Sequence, residues 1–210
     1  MGFLLQLETA FEITIKKAFL LIYKQIYDKI TGGYNLDQYG DRYIRGNSTT
    51  WKNWMCMFKP TTCIPCKKKH GTIYPFDAII ESLHFHCYCE LVPMRRIQAG
   101  KATKAKEAGV DLYLKYTGKL PVEYITKDYA RTHGWKSIKG NLSDVLPGKV
   151  IGGDIFYNDA GKLPTAEGRT WYEADFDYSS GYRNDSQILY SSDGLLFVSY
   201  DHYKTFYEVY

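Results

Sequence analysis

The sequence predicts an α+β protein in which short N-terminal helices precede a twisted antiparallel β-sheet, all of this after a helical and cysteine-rich N-terminal module. Helical apolar spacing up to about residue 146 gives way, from residue 150, to short β-branched and aromatic runs separated by turn residues. In addition, all five cysteines lie in the first half of the chain. These features divide the chain into a module of residues 1–98 and a domain of residues 99–210.

The N-terminal module begins with an amphipathic pattern. Apolar residues recur at steps of three or four over residues 3–30, and Thr31-Gly32-Gly33 follows them. This spacing predicts a long helix that packs or oligomerises through one apolar face, with a helix lying on a membrane surface as the alternative. Residues 95–106 are small and basic and contain few core-forming side chains, so we place the domain boundary there.

The C-terminal domain carries signals for three helices and five strands. Gly118 would end a first helix that begins near Val110. Thr126 would cap a second helix and Asn141 a third. Strand-like runs and turns follow. The predicted strands are 150–156, 170–174, 187–190, 195–199 and 205–209.

The formal net charge of +4 is unevenly distributed along the chain. Residues 1–100 carry 13 Lys and Arg against 8 Asp and Glu, whereas residues 101–210 carry 14 against 15. A C-terminal domain that binds a polyanion must therefore use a local cluster of cations, because its overall field is not positive. No apolar stretch has the length of a transmembrane segment, and the N-terminus has no ordinary signal-peptide pattern.

Cysteines and histidines in the N-terminal module have the spacing of a metal site. Cys63 and Cys66 form a C-x2-C pair, and His84, Cys87 and Cys89 follow. Two close thiolates with a later His/Cys pair are typical of tetrahedral zinc. We expect a structural zinc held by Cys63, Cys66, His84 and either Cys87 or Cys89, with disulfides or unligated thiols as the alternatives.

The C-terminal domain contains residue types that can cleave RNA without a metal. When the 2′-hydroxyl attacks the adjacent phosphorus, a carboxylate must accept its proton, an acid must protonate the leaving 5′ oxygen, and cations must stabilise the phosphoryl oxygens. A candidate set consists of Glu173, His202, Arg183 and Lys127. Spacing alone does not assign these roles, because a single Glu or His of this kind usually lies on a solvated surface.

A series of segments in residues 101–210 resembles the barnase-like family of microbial guanyl-preferring ribonucleases. These segments include Tyr124-Ile125-Thr126-Lys127, Ile151-Gly152-Gly153-Asp154-Ile155-Phe156, Gly168-Arg169-Thr170-Trp171, Glu173-Ala174-Asp175 and Asp201-His202-Tyr203-Lys204-Thr205-Phe206. The resemblance is collinear and without gaps. It implies an endoribonuclease that cleaves single-stranded RNA through a 2′,3′-cyclic phosphate, prefers guanine, and needs no cofactor for catalysis.

The resemblance also implies a role for each matching residue. Glu173 matches the general base and His202 the general acid, while Lys127 and Arg183 match cations that bind the phosphate. Substrate-binding positions are Phe156, Tyr157, Asn158 and Asp159 in a guanine-binding loop, Tyr203, and Gln187. Structural positions are Arg169 and Asp193, which match a salt bridge, and Asp175, which matches a carboxylate that orients arginines.

Three positions depart from the family pattern. Gln187 replaces an arginine that contacts phosphate, and Asp159 and Ala160 replace an arginine and a glutamate of the guanine-binding loop. One electrostatic stabiliser contributes about 2.7–4 kcal/mol to a transition state. We therefore expect a slower and less guanine-strict enzyme.

Residues 55–94 resemble, in their Cys/His pattern, the phage Mu F-like head-morphogenesis (minor capsid) domain. This resemblance implies a carrier module in front of a prophage polymorphic toxin, with phage-head or secretion components as partners. The alternative is a phage-head structural or binding protein with a decayed nuclease domain. A third interpretation is an RNA-binding module whose tyrosines stack on bases.

The expected biology follows from the ribonuclease resemblance. A ribonuclease made inside a cell endangers that cell, so we expect an acidic inhibitor resembling barstar that covers Lys127, Arg183 and His202. The family resemblance implies a secreted, extracellular protein. Because the sequence shows no ordinary signal peptide, a cytoplasmic location until delivery or packaging is the alternative.

Overall fold

The computed structural model describes residues 44–56, 63–80, 84, 87 and 89–210. The amphipathic helix predicted over residues 3–30 lies outside them. Residues 42–210 belong to one compact unit. The described helices are α1 (Ile64–Lys69), α2 (Val110–Thr117), α3 (Lys127–Thr132) and α4 (Leu142–Val145), with 3₁₀ turns at Lys106–Ala108 and Ser137–Lys139. None of these helices has the length and apolar character that crossing a bilayer requires.

The strands of the described residues form a single mixed sheet. They are β1 (Ile44–Met55), β2 (Ile73–Pro75), β3 (Glu90–Ile97), β4 (Tyr124–Ile125), β5 (Val150–Phe156), β6 (Trp171–Asp175), β7 (Gln187–Ser191), β8 (Leu196–Ser199) and β9 (Tyr207–Val209). Their order across the sheet is β2-β1-β3-β9-β8-β7-β6-β5-β4. The α+β prediction is thus confirmed.

The prediction of an antiparallel sheet is correct for β5 to β9 and wrong for two pairs. β4 pairs with β5 in parallel, because the chain crosses over through α3 and α4 between them. β3 also pairs in parallel with β9, and all the helices of the C-terminal domain lie between these two strands in the sequence. The sheet is therefore mixed.

The helices of the C-terminal domain begin and end close to the predicted residues. Gly118 adopts φ +66° and donates its N–H to Leu114 O at the end of α2. Thr126 caps α3 through a hydrogen bond from Tyr129 N at 3.3 Å. Asn141 does not cap α4 with its side chain, and this detail of the prediction is wrong. Its amide instead accepts from Lys136 N and donates to the preceding turn.

One apolar core spans the two predicted domains. Trp51, Ile73 and Met94, from β1 to β3, pack in the same cluster as Leu189 and Phe197 of the C-terminal strands. The Trp51 and Phe197 rings meet edge to face, with centroids 6.0 Å apart. Burying apolar side chains is the main favourable term in folding, so β1 to β3 contribute directly to the stability of the C-terminal strands.

Residues 95–106, where the sequence predicts a domain boundary, are tied to α2. The buried Asp111 carboxylate accepts hydrogen bonds from Gly100 N at 2.7 Å and Ala102 N at 3.0 Å. The Thr103 hydroxyl adds a third at 3.2 Å. A buried carboxylate with three donors is well compensated, and it fixes the chain between β3 and α2.

A β-bulge in β5 sets the alignment of β5 with β6. Gly152 lies opposite Ala174, but Asp154 lies opposite Glu173, so Gly153 is the extra residue. Gly153 adopts φ +91°, which suits glycine. A Cβ on Gly152 would lie 2.6 Å from the Ala174 Cβ, so only glycine allows this close approach. The bulge therefore sets which residue stands beside Glu173.

Candidate active site

The Glu173 carboxylate is the centre of the site. Glu173 is only 6% exposed and lies on β6, between β5 and β7 in the sheet. Lys127 Nζ donates to Oε1, and the Tyr203 hydroxyl donates to Oε2. Because a buried charge needs an opposite charge and hydrogen bonds, this arrangement stabilises an ionised carboxylate beside a cation.

Local structure at the start of α3 holds Lys127 in place. Its backbone N–H donates to both carboxylate oxygens of Asp154, at 3.2 and 3.0 Å. Behind it, Ala130 packs with Trp135, and Ile151 of β5 belongs to the same cluster. These contacts fix α3 to the sheet and place Lys127 beside Glu173.

Arg183 forms a two-bond ion pair with Asp175. Its Nε and Nη2 atoms donate to the two carboxylate oxygens at 2.5 and 2.7 Å, which leaves Nη1 outside the pair. Burial raises the pKa of Asp175, and the Arg183 bonds partly oppose that rise. Burial also lowers the pKa of Arg183, but the Asp175 carboxylate outweighs it and the net shift is upward. Asp175 lies two residues from Glu173 on one strand, so both side chains share a face.

His202 and Tyr203 occupy a strained loop between β8 and β9. Both adopt positive φ, 54° and 64°, a conformation that costs about 1–3 kcal/mol per residue. Buried Asp201 holds the loop by accepting from Lys204 N at 3.1 Å and Thr205 N at 2.9 Å. Ser199 Oγ accepts from Tyr203 N at 2.8 Å. These bonds offset the backbone strain.

His202 lies beside Tyr203, which links it to Glu173. The rings of His202 and Tyr203 are 4.8 Å apart, edge to face. Burial and the Glu173 carboxylate raise the pKa of Tyr203, so its hydroxyl stays protonated and donates. The His202 side chain is 60% exposed, and its Nδ1 lies 3.7 Å from an oxygen of Asp185. An accessible imidazole and a buried carboxylate therefore flank one tyrosine, which is a suitable arrangement for proton transfer.

The loop predicted to bind guanine is organised by Asn158. This residue adopts φ 54°, and its side-chain amide bonds both Leu163 N, at 3.0 Å, and Leu163 O, at 2.9 Å. Tyr157 is 79% exposed and Asp159 is exposed. Phe156 packs on Tyr203 with ring centroids 5.2 Å apart. The loop thus lies directly next to the Glu173 site.

Three other sequence-predicted residues bond protein groups other than Glu173. They are Gln187, Arg169 and Asp193. Gln187 is 1% exposed and donates to Asn184 O at 2.8 Å, so its amide is turned into the protein. Arg169 pairs with Asp193 through three hydrogen bonds of 2.7–2.9 Å. This pair lowers the pKa of Asp193 to about 2. It connects the loop before β6 to the β7–β8 turn.

Sequence reasoning missed three positioning carboxylates. Asp154 holds Lys127, and Asp185 approaches His202. Asp201 organises the loop between β8 and β9 that carries His202 and Tyr203, the catalytic loop. The backbone carbonyl of Asp185 also accepts from the His202 N–H at 3.0 Å. Only Asp201 had a usable local signal, because an Asp at the start of a turn commonly accepts from the backbone two to four residues on. The other two depend on contacts between distant segments.

The cysteines and His84 of the N-terminal module cluster together. Their donor atoms form two triplets within 4.8 Å that share Cys66, one with Cys63 and His84, the other with Cys87 and Cys89. None of the five cysteines, all of which the structure describes, is in a disulfide. Burial raises the pKa of Cys89 to about 12, and the Cys66 N–H lowers the pKa of Cys63. Metal binding would displace such thiol protons.

Comparison with known proteins agrees with the geometry. A family model described as ribonuclease matches residues 101–210. A ribonuclease of Heyndrickxia coagulans is 54% identical over 98 residues, which cover 47% of this chain and 90% of that protein. Ribonucleases of Bacillus intermedius and Bacillus pumilus are also 54% identical over 98 residues, but the match spans only 60% of their length.

These matches concern the C-terminal half, so the resemblance of residues 55–94 to a phage head-morphogenesis domain stays a prediction. The family model covers more than half of the 210 residues, and its range includes Lys127, Glu173, Arg183 and His202. The chain belongs to the ribonuclease family and is an endoribonuclease.

Proposed function

We propose that the domain cleaves single-stranded RNA by transesterification through a 2′,3′-cyclic phosphate, with no metal ion in the chemical step. The main support is the pair of hydrogen bonds that Lys127 and Tyr203 donate to Glu173. The His202 ring packs against the tyrosine. This set supplies a base, an acid and a cation around a space that Tyr203 borders. Those are the components that internal attack by a 2′-hydroxyl requires.

In the proposed reaction, Glu173 accepts the proton of the 2′-hydroxyl as that oxygen attacks phosphorus. The Lys127 ammonium, which contacts Glu173 in the free protein, turns to the phosphoryl oxygens together with Arg183. Protonated His202 gives its proton to the leaving 5′ oxygen. Water then opens the cyclic phosphate in a second step with the acid and base roles exchanged.

The guanine preference is proposed to be weaker than the family pattern implies. The fixed loop around Asn158 offers backbone groups for a base edge, and Tyr157 offers an exposed ring for stacking. However, Asp159 and Ala160 supply neither the arginine nor the glutamate of that pattern. We therefore expect guanosine to be favoured over other nucleosides by a modest ratio.

Cleavage of a panel of dinucleoside phosphates tests this function. The full chain, without added Mg²⁺, should yield products that end in a 2′,3′-cyclic phosphate. Glu173→Gln should lower the rate about 10²–10⁴-fold, because the base is lost. Exposed Glu167→Gln is the matched control and should retain the rate. Products that carry a 5′-phosphate, or equal loss in both variants, would refute the mechanism, and absence of cleavage by the wild type would favour the decayed-nuclease interpretation.

The biological role that fits is a delivered toxin with a protective partner. Lys127, Arg183 and His202 gather positive charge in a domain whose other 12 Lys and Arg are outnumbered by 15 Asp and Glu, and a small acidic inhibitor would recognise such a group. We infer an extracellular site of action, with phage-head or secretion components in delivery. Calorimetric titration with an inhibitor resembling barstar checks the partner, and unchanged affinity in Arg183→Ala would exclude this binding surface.

A further inference from the structure

Strand β2 of the N-terminal module directly contacts the two loops of the active site. Ile73 N donates to Lys162 O at 2.7 Å, at the end of the predicted guanine-binding loop. Gly71, with φ +79°, lies so close to the catalytic loop that a Cβ there would be 2.6 Å from Lys204 O. The backbone of residues 71–73 therefore forms a wall behind both loops.

Lys162 joins these contacts to Tyr203. Its Nζ donates to Tyr203 O at 3.1 Å and reaches Lys204 O at 3.5 Å. Burial lowers the pKa of Lys162, which shows how far this ammonium is removed from water. A displacement of Ile73 would move the Lys162 backbone, and with it the support of the loop that carries His202 and Tyr203.

The position of β2 depends on the segment that precedes it. Helix α1 contains Cys66, which is 2% exposed, and Gly71 follows only five residues later. Gly71 N donates to Trp54 O at 2.9 Å, and Trp54 N donates to Thr72 O at 2.8 Å. A helix of six residues has little stability of its own, so its place must be fixed by tertiary contacts.

The Cys/His cluster can supply that fixation. Cys63 Sγ and Cys66 Sγ lie 3.0 and 3.2 Å from His84 Nε2, and Cys66 Sγ lies 3.6 Å from Cys87 Sγ. Two thiolates on one tetrahedral zinc, with Zn–S bonds of about 2.3 Å, lie about 3.8 Å apart. The triplet of Cys63, Cys66 and His84 thus has the spacing of three ligands of one ion. Cys87 and Cys89 form the second triplet with Cys66, so Cys87 supplies the fourth ligand and Cys89 is the alternative.

We propose that Zn²⁺ bound by Cys63, Cys66, His84 and Cys87 fixes α1 and β2, and that this holds the catalytic loop in its active position. The ion takes no part in RNA cleavage. Its effect reaches the loop through α1 and β2, by the contact of Gly71 with Lys204 and of Ile73 with Lys162. The effect on the rate rests on the proposed ribonuclease function, whereas the metal site and its effect on the loop do not.

The metal site is tested on the full chain by zinc content and by Co²⁺ substitution. One equivalent of Zn²⁺ and the visible absorption of tetrahedral, thiolate-bound Co²⁺ are expected. Cys66→Ser should lose both, while Cys56→Ser, a matched substitution of a buried cysteine outside the proposed ligand set, should keep them. Oxidised cysteines, octahedral Co²⁺, or loss of metal in Cys56→Ser but not in Cys66→Ser would overturn the site.

The coupling is tested by amide hydrogen exchange of Tyr203, Lys204 and Thr205, whose N–H groups bond Ser199 and Asp201. Removing zinc from the wild-type chain should speed their exchange at least about tenfold, and Zn²⁺ but not Mg²⁺ should restore protection. This measurement needs no folded mutant and no activity. Unchanged exchange at all three amides after zinc removal would overturn the coupling.

Gly71→Ala separates metal binding from its consequence. The added methyl group collides with Lys204 O, so the variant should keep one zinc yet lower kcat about 10–100-fold, as expected for a small misplacement of catalytic groups. Gly148→Ala is the control, because its Cβ would meet no atom within 4 Å although its φ is also positive, at +73°. Equal kcat in the two variants would count against the coupling. Inactivity of the zinc-loaded wild type would refute the ribonuclease mechanism alone.

Discussion

At the scale of single residues, the site holds two opposite charges in contact, and the proposed mechanism separates them. Lys127 and Glu173 pair in the free protein, although their proposed tasks are to bind phosphate and to accept a proton. The Lys127 ammonium compensates the charge of a carboxylate that is only 6% exposed. In the proposed mechanism, phosphate replaces Glu173 as the partner of Lys127, which releases Oε1 to act as the base. Binding and activation are thus one exchange of ion pairs.

Gln187→Arg should raise the rate of cleavage. Asp175 is buried and holds a single arginine, and burial raises its pKa, so it can accept a second cation. A guanidinium at position 187 would pair with Asp175 and add a donor for the phosphate. We expect kcat/KM to rise at least about tenfold, within the range of one electrostatic stabiliser. Gln187→Met, similar in length but uncharged, should give no increase, and a rise in both variants would contradict this reasoning.

Residue identities were predictable from the sequence where a motif carried them, and contacts were not. Glu173, Lys127, Arg183 and His202 were all expected, yet nothing local showed that Tyr203 bonds Glu173 or that Asp185 approaches His202. These contacts join segments about 17 to 30 positions apart, so they exist only after the sheet has formed. Gln187 was predicted as a substrate-binding position, and its burial could not be read from the sequence.

At the scale of elements, the C-terminal half was readable and the N-terminal half was not. Predicted strand 150–156 coincides with Val150–Phe156, because β-branched and aromatic residues fill it and turn residues flank it. Strands β1 and β3 were missed, since β1 contains Asn47 and Asn53 and β3 contains Pro93. Such sequences have low strand propensity, and pairing with neighbours overrides it.

Asp111→Ala should detach the segment between β3 and α2. The carboxylate is fully buried and accepts from Gly100, Ala102 and Thr103, so its removal leaves buried donors unsatisfied. We expect a loss of about 2–4 kcal/mol in the free energy of unfolding. Asp128→Ala, whose side chain is 90% exposed, is the control and should cost less than about 1 kcal/mol. Denaturant titration of both variants checks this, and equal midpoints would be the contrary result.

Asp193→Asn should remove one acid-sensitive contribution to stability. The pKa of Asp193 is about 2 in the folded protein, below the ordinary value near 3.8. A lowered folded-state pKa stabilises the protein above pH 4, and this stabilisation disappears as the pH falls from 4 to 2. Because the side chain is 46% exposed, the effect should stay below about 1 kcal/mol. Melting temperatures of the two proteins should therefore converge at pH 2, and a constant difference from pH 6 to 2 would oppose the assignment.

At the scale of the whole molecule, the nuclease strands are part of a larger sheet. β9 forms the last strand on that side of the family-matched region, and β3 continues the sheet beyond it to β1 and β2. An edge strand exposes unpaired backbone groups, and the N-terminal module covers this edge. The same module packs apolar side chains against the sheet in which β6 carries Glu173. The N-terminal module is therefore part of the same sheet and core as the nuclease strands, and does more than precede them in the sequence.

A truncation series should separate folding from stabilisation. The Heyndrickxia coagulans ribonuclease is largely covered by the matched segment, so residues 101–210 should fold alone. Without Trp51, Ile73 and Met94, however, the fragment exposes part of the core around Phe197. We expect it to unfold with a free energy lower by on the order of 3 kcal/mol than residues 42–210, because one or two buried side chains contribute that much.

An intermediate fragment of residues 90–210 makes the comparison graded. It retains β3, and with it the pairing to β9 and the fully buried Met94, but lacks β1 and β2. Its unfolding free energy should fall between those of the two other chains, and binding of a dye specific for exposed apolar surface should decrease in the order 101–210, 90–210, 42–210. If all three unfold with the same free energy, the shared core contributes nothing, and the N-terminal strands serve the active-site loops alone.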